Sequence, residues 1–198
     1  MNASLNIIQI DVTQAQILSE LAKQIYIPHY PYLWEPGGVD WYVNEYAYPV
    51  EKIKAEINDQ NNLHYIAYLD KVAIGYLKIN INAKGNSNGT LDVDSSMELE
   101  RIYIDTKCIQ KGIGTQLMKF VFDLAKQYQK KTIVLKAMDS ASKALNYYNK
   151  MGFEIIDNFR LPDHIFTLMK PEYRGMLILK YSLKKEKKEE GSMEDAAN

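Results

Sequence analysis

The sequence predicts an α/β fold of the α+β kind, a mixed and mostly antiparallel sheet of about six to seven strands with a parallel pair at its centre and helices on both faces. Three observations carry this. Residues 97–104, 113–129 and 132–138 read as strand, helix and strand, an order that implies a right-handed crossover between parallel neighbours. Residues 63–69 and 72–81 read as two strands closed at Asp70-Lys71, a hairpin that demands antiparallel pairing. Helix 113–129 places Ile113, Leu117, Phe120, Val121, Leu124 and Tyr128 on one stripe, the face that packs on a sheet.

The other elements follow in order. Residues 5–10 alternate as a first strand, and 12–25 carries Ile17, Leu18, Leu21 and Ile25 at helical spacing, ending near Pro28. Residues 26–48 hold both tryptophans, Trp34 and Trp41, with Tyr26, Tyr30, Tyr32, Tyr42, Tyr46 and Tyr48, broken by three prolines and Gly37-Gly38. That segment reads as a lid or variable loop with short helical pieces. A short helix is predicted over 50–57, a polar and mobile turn over 83–89, a helix over 141–150, and strands over 153–160 and 174–183. One domain over 1–183 is expected, followed by a mixed-charge tail, 184–198, with nothing to bury and hence expected to be disordered.

Composition excludes several classes. The chain of 198 residues has 24 basic and 25 acidic side chains, a formal charge of −1, which argues against nucleic acid or an anionic membrane as the main partner. No stretch approaches the roughly 20 apolar residues of a membrane span, and residues 1–11 lack the pattern of a secretory leader, so a cytoplasmic protein is expected. Cys108 is the single cysteine, so no intrachain disulfide is possible, and no zinc-like Cys or His spacing suggests a metal. No nearby histidine makes Cys108 a nucleophile, and His29 and His164 read as structural or pocket residues.

The chemistry concentrates between strand 97–104 and the helix after it. Gln110-Lys-Gly-Ile-Gly114 joins them by a basic, glycine-containing turn, where unpaired N–H groups and the helix dipole favour a phosphate. Gly112 and Gly114 allow close backbone approach and positive φ, and Lys111 adds a cation. The turn lacks both the P-loop pattern and the three-glycine dinucleotide fingerprint. In strand 97–104, strict alternation would put Glu98, Glu100, Ile102 and Ile104 on one face; a β-bulge near Arg101 would separate charge from core and free backbone groups.

Leu99-Glu-Arg-Ile-Tyr-Ile104, Gln110-Lys-Gly-Ile-Gly-Thr115 and Ala144-Leu-Asn-Tyr-Tyr-Asn-Lys-Met-Gly-Phe153 resemble, in order and spacing, the acetyl-CoA motifs of the GNAT N-acetyltransferase superfamily. The chain departs from the family at Ile109, where Gln or Arg is usual, and at Ala141, where Asn is common. The resemblance implies the GNAT fold and an acetyl-CoA-dependent acyltransferase. It implies that Ile109, Gln110, Lys111, Gly112, Ile113, Gly114 and Thr115 hold the diphosphate, and that Ile102, Tyr103 and Ile104 pair with the pantetheine arm, one N–H polarising the thioester carbonyl. Tyr148, four residues before Gly152, takes the place of the tyrosine that protonates the departing thiolate and touches the cofactor; its other reading is core, as for Tyr147 and Phe153.

Transfer to an amine needs the neutral amine, and with a pKa near 10.4 only about 4 molecules in 10,000 are neutral at pH 7, a penalty of roughly 4.6 kcal/mol. Glu98 and Glu100 lie on the strand beside the thioester, and Glu100, through water, is assigned as the base. The competing reading makes both strand-surface charges or partners of Arg101. The aromatic segment likewise has two readings, lid packing or a site where Trp34, Trp41, Tyr42 and Tyr46 stabilise a cationic amine with Glu45, Asp40 and Glu35 at hand.

Residues 51–57, 75–80 and 164–168 look like the bacterial polyamine acetyltransferases, although Met169, Tyr173 and Gly175 stand where those usually carry Gly, Gln and Asp. The acceptor expected is a small amine such as a polyamine, the alternatives being a protein or peptide amine, or a CoA-binding regulator without activity. Members of the family are frequently dimers, so a homodimer is a further expectation.

Overall fold

The computed structural model describes residues 4–85, 89–108 and 112–183. A seven-stranded sheet forms the frame. Its strands are β1 (Leu5–Gln9), β2 (Asn62–Leu69), β3 (Val72–Asn80), β4 (Ser96–Ile104), β5 (Thr132–Met138), β6 (Glu154–Arg160) and β7 (Gly175–Ser182), in spatial order β1-β2-β3-β4-β5-β7-β6. β4 and β5 run parallel and every other neighbouring pair is antiparallel. The mixed sheet with a central parallel pair is therefore the one expected.

Five α-helices accompany it: α1 (Ala15–Tyr26), α2 (Gly38–Trp41), α3 (Val50–Asn58), α4 (Ile113–Gln127) and α5 (Ser142–Lys150). α4 and α5 cover one face, where Leu77, Ile79, Met97, Leu99, Ile133 and Leu135 meet Ile113, Leu117, Met118 and Val121. α1 and α3 cover the other, packing Leu18, Leu21, Ile25 and Ile53 on Ile66 and Tyr76. The hairpin closes at Asp70 and Lys71, both with positive φ, the backbone that a two-residue turn matched to strand twist requires.

Two members of the predicted stripes stay outside the core. Tyr128 follows the last residue of α4 and is 36% exposed, while Met118 and Ala125 take buried places. Ile17 is 47% exposed, because α1 turns Leu18, Leu21, Ala22 and Ile25 to the sheet instead. The expected tail and part of the turn over 83–89, residues 86–88, lie outside the described residues.

The register of β4 decides where chemistry can happen. Opposite β3, Lys78 pairs with Arg101 and Ile79 with Leu99, so Glu100 is the extra residue of a bulge. The bulge turns Glu98, Glu100, Arg101 and Tyr103 to the α1/α3 face and Leu99, Ile102 and Ile104 to the α4 face. Charge and core are thus separated within one strand. On its other edge β4 pairs with β5 only from Ser96 to Leu99, although β4 runs to Ile104 and β5 to Met138. Beyond Leu99 the two parallel strands diverge, and main-chain groups of β4 that point toward β5 have no strand partner there.

Candidate active site

The divergence opens into a cavity of about 750 Å³, within the range typical of small-molecule sites. One wall is Leu99, Glu100, Arg101, Ile102 and Tyr103 of β4, and the facing wall is Leu135, Lys136, Ala137 and Met138 of β5. Tyr148 and residues 140–144 at the start of α5 close one side; Tyr26, Tyr30, Tyr32, Trp34, Tyr42 and Tyr46 close another.

The aromatic wall is built by mutual packing. Tyr42 lies centrally, its ring centroid 4.7 Å from Tyr26, 4.9 Å from Trp34 and 5.8 Å from Tyr46, and the Trp34 indole N–H donates to the Tyr26 hydroxyl at 3.1 Å. Gly38 is required at its place, since a Cβ there would sit 2.8 Å from the Leu168 carbonyl and 2.9 Å from the Trp34 Cβ. Main-chain bonds from Glu35 N to Leu168 O (2.9 Å) and from Lys170 N to Leu33 O (2.9 Å) tie the segment to residues 161–174, which add Leu161, Phe166 and Met169 to the cavity. The expected lid is a wall pinned by backbone bonds.

Of the residues read as substrate-binding, Trp34, Tyr42 and Tyr46 line the cavity. Trp41 lies behind them, stacked on Tyr46 at 5.2 Å and edge-on to Phe166 at 6.2 Å. Glu45 and Glu35 are exposed and away from the lining, and Asp40 accepts a bond from the Asn44 amide at 2.7 Å. The π-helical turn Tyr42–Ala47 directs Tyr42 and Tyr46 inward and leaves Glu45 in solvent. No acidic side chain of the aromatic segment reaches the cavity among the described residues.

Glu98 and Glu100 belong to a polar network laid across β3, β4 and β5. Glu98 is 1% exposed and takes Lys136 Nζ at 2.8 Å and the Asn80 amide at 3.2 Å. It is absent from the cavity lining, so it does not stand where a base would. Glu100 is in the lining but takes Lys78 Nζ at 2.8 Å and the Asn80 amide at 2.9 Å, with Arg101 at 3.7 Å. Burial disfavours its charge, yet Lys78, Arg101 and Asn80 outweigh burial and hold the carboxyl at about 2. A carboxyl so strongly held ionised is a poor proton acceptor and a good hydrogen-bond acceptor.

Lys78 also reaches Glu56 at 3.0 Å, and His64 lies 3.7 Å from the same carboxylate. Burial, reinforced by Lys78 and Arg101, pushes the His64 imidazole down to about 3, so it is neutral at ordinary pH. Sequence reading missed this network. The signal was Tyr76, Lys78 and Asn80, polar residues at every second position beside a tyrosine in a strand otherwise apolar on its other face.

Tyr148 is at the cavity with its phenol raised to about 12, first by burial and then by Tyr147 and Tyr30. The glycine turn is seen from Gly112 onward; Ile109, Gln110 and Lys111 lie outside the described residues. Gly112 has φ 73° and caps α4, a backbone that favours glycine, and a Cβ there would meet nothing within 4 Å. The first amides of α4, including Ile113, Gly114 and Thr115, precede the helical bond from Gln116 N to Gly112 O. Above them Tyr147, read from sequence as core, buries a hydroxyl with no partner among the described residues, 3.6 Å from where a Gly114 Cβ would stand. A donor-rich helix start and an orphaned hydroxyl beside Ile104, at the end of the unpaired β4 main chain, fit a long ligand with an anionic end and an amide-bearing arm.

Cys108 is buried, and His29 Nε2 meets Thr106 Oγ1 at 3.1 Å outside the cavity. Among the described residues no cluster of His, Cys, Asp or Glu could hold a metal ion, and no helix is long and apolar enough to cross a membrane.

Comparison with known proteins agrees with this geometry. The chain resembles an uncharacterised N-acetyltransferase of Lactobacillus delbrueckii subsp. lactis, 27% identical over 60% of this chain and 64% of that one. It also resembles N-alpha-acetyltransferase 50 of Danio rerio, 27% identical over 58% of this chain and 67% of that one. The chain thus matches about two thirds of the length of these relatives. The structure of the paia N-acetyltransferase of Thermoplasma acidophilum, in complex with coenzyme A, superposes with a TM-score of 0.69 at 20% identity, covering 91% of this chain and 99% of that one. Residues 23–153 match the Acetyltransferase (GNAT) family, about two thirds of the sequence and all of the cavity's β4, β5 and α5 walls, and the chain belongs to that family.

Proposed function

We propose that the protein transfers the acetyl group of acetyl-CoA to the primary amine of a small molecule. The observation that carries the reading is the aromatic-walled cavity bounded by the open edge of β4 and by Tyr148, with the start of α4 packed beside Ile104 at the end of that strand. Acetyl-CoA is held by the α4 amides, the Tyr147 hydroxyl and the main chain of Ile102, Tyr103 and Ile104. A β4 N–H directed at the thioester oxygen stabilises the charge that grows there as the amine nitrogen bonds to the carbonyl carbon. When the carbon–sulfur bond breaks, Tyr148 gives its proton to the thiolate sulfur, the new amide nitrogen sheds its extra proton to water, and water returns a proton to the Tyr148 oxygen. From the buried phenol near 12 to a thiol at its aqueous value near 8.5, the transfer to sulfur would run uphill by about 4.8 kcal/mol. The same dry cavity also destabilises the thiolate, and it offsets part of that cost.

Glu100, the base assigned from sequence, has another role in this scheme. With its carboxyl at about 2, it orients the amine by accepting an N–H bond, and the amine's proton leaves to water as the apolar cavity strips its hydration. Log kcat/KM is therefore expected to rise with about unit slope from pH 7 to 9, with no descending limb below about pH 11 because Tyr148 stays protonated. Glu100→Gln lowers this profile without changing its shape. A plateau governed by a group near neutrality would restore a side-chain base.

Polyamines are the acceptors to which the sequence resemblance points, and the likeness to N-alpha-acetyltransferase 50 favours a protein terminus as second reading. The pinned aromatic wall supports the small acceptor. The test is thiol release from acetyl-CoA with a panel of small amines and peptides. Wild type should turn over a small amine, and Tyr148→Phe should lose about 100- to 10,000-fold in kcat with CoA binding intact. Tight CoA binding with no turnover of any amine would instead mark a regulator.

A further inference from the structure

Charges around the cavity close among themselves. Glu56, Glu98 and Glu100 face Lys78, Arg101 and Lys136, three against three, with the ammonium of Lys84 3.8 Å from Glu100 at the exposed rim. His64 beside Glu56 is uncharged and adds no counter-charge. Among the described residues the charged members of the lining are Glu100, Arg101, Lys136 and Lys143, one acid against three bases. The remaining surface is mainly apolar, with rings and methionines such as Tyr30, Trp34, Tyr42, Phe166 and Met169, and two serines, Ser140 and Ser142.

We propose that the acceptor is a monoamine, one primary amine on an uncharged aromatic or otherwise apolar body, and that the cavity selects against a second ammonium. This rests on the amine acetyltransferase reading and narrows it. A reacting amine enters neutral and needs only an acceptor for its N–H, which Glu100 supplies. A second ammonium on the same molecule would leave water for a space whose only carboxylate among the described residues is already engaged by Lys78, and it would meet Arg101, Lys136 and Lys143. Ring faces attract cations at exposed sites, but here the rings pack against one another, as Trp34 and Tyr42 do at 4.9 Å. An apolar body gains from the same rings by burial alone.

The test is a length-matched pair, hexylamine and 1,6-diaminohexane, at one pH and ionic strength with acetyl-CoA. The expected kcat/KM for hexylamine is at least tenfold higher, with 2-phenylethylamine as good or better. A diamine turned over as well as the monoamine overturns the proposal. If neither is acetylated, the transferase reading fails separately, and calorimetric titration of both amines into the CoA-loaded protein decides this one. Tighter binding of hexylamine supports it; equal or tighter binding of the diamine, or binding of neither, overturns it. Tyr32 is 51% exposed on the cavity rim, so Tyr32→Asp should fold and should narrow the ratio several-fold by supplying the missing negative charge. An unchanged ratio would mean that charge is not what selects.

Discussion

Against α4 the three central strands present Leu77, Ile79, Met97, Leu99, Ile133 and Leu135, all buried and all apolar. On the opposite face the same strands present Lys78, Asn80, Glu98, Glu100, Arg101 and Lys136, the first three as buried and the others partly so. One face is held by burial and close packing, which have no pH dependence and no preferred partner. The other joins the apolar packing of α1 and α3 to charge pairs whose desolvation must be met by geometry, and removing any one member of a pair leaves its partners uncompensated. The cavity between β4 and β5 is lined from both faces, by Leu99, Ile102, Leu135 and Ala137 from the first and by Glu100, Arg101 and Lys136 from the second, and only the second supplies charged side chains to it.

Acid should separate the two faces most strongly. Glu100 titrates in the folded chain at about 2 against 4.5 when unperturbed, so its support is complete above about pH 4.5 and is lost as pH falls towards 2, worth about 3 kcal/mol. His64 acts in the same direction. Its folded value near 3 lies below the ordinary 6.5, so protonation favours the unfolded chain progressively below about pH 6.5. Urea unfolding at pH 7, 5 and 3 should show stability falling steadily, and Glu100→Gln should flatten the curve below pH 4.5. A wild-type curve level from pH 6.5 to 3 would remove the electrostatic account of this face.

Lys78→Met comes next in size. Lys78 is 4% exposed and bridges Glu56 at 3.0 Å and Glu100 at 2.8 Å, so its loss should cost about 3–5 kcal/mol. Adding Glu56→Gln and Glu100→Gln to the variant should recover much of that cost, since no buried charge is then stranded. On the dry face, Leu117→Ala removes a fully buried side chain and should cost about 2–5 kcal/mol. The faces differ in what rescues them: no charge change elsewhere should restore Leu117→Ala, and its loss should be the same at pH 7 and pH 5.

How much of each face was legible in the sequence follows from the same contrast. Periodicity located the sheet, the crossover and the α4 stripe, because alternation and the 3.6-residue repeat report burial of apolar groups directly. The bulge at Glu100 was legible for the same reason, as the place where alternation would have mixed charge with core. Pairings such as Lys78 with Glu56, or Lys136 with Glu98, join residues far apart in the chain, and no local pattern reports them. The Glu100 carboxyl could thus be read as a base when its neighbours were unknown. Within the aromatic segment, composition identified a wall of rings, while the π-helical turn that leaves Glu45 outside depends on backbone bonds that no side-chain pattern signals.

The smallest effect expected is the most direct check on reading burial from spacing. Ile17 and Leu18 are adjacent on α1 and both fit the apolar pattern, yet Ile17 is 47% exposed and Leu18 is 2% exposed. A helix turns about 100° per residue, so a stripe wide enough to include both must have one at its edge, and contact with the sheet decides which. Leu18 packs in the cluster with Ile66 and Tyr76, and its truncation to Ala should cost about 2–5 kcal/mol. Ile17→Gln places an unbranched helix former at an exposed position and should change stability by no more than about 0.5 kcal/mol. Equal losses for the two would mean that a further surface covers Ile17 in solution, and sedimentation across a concentration series would then identify it as a contact between copies of the chain.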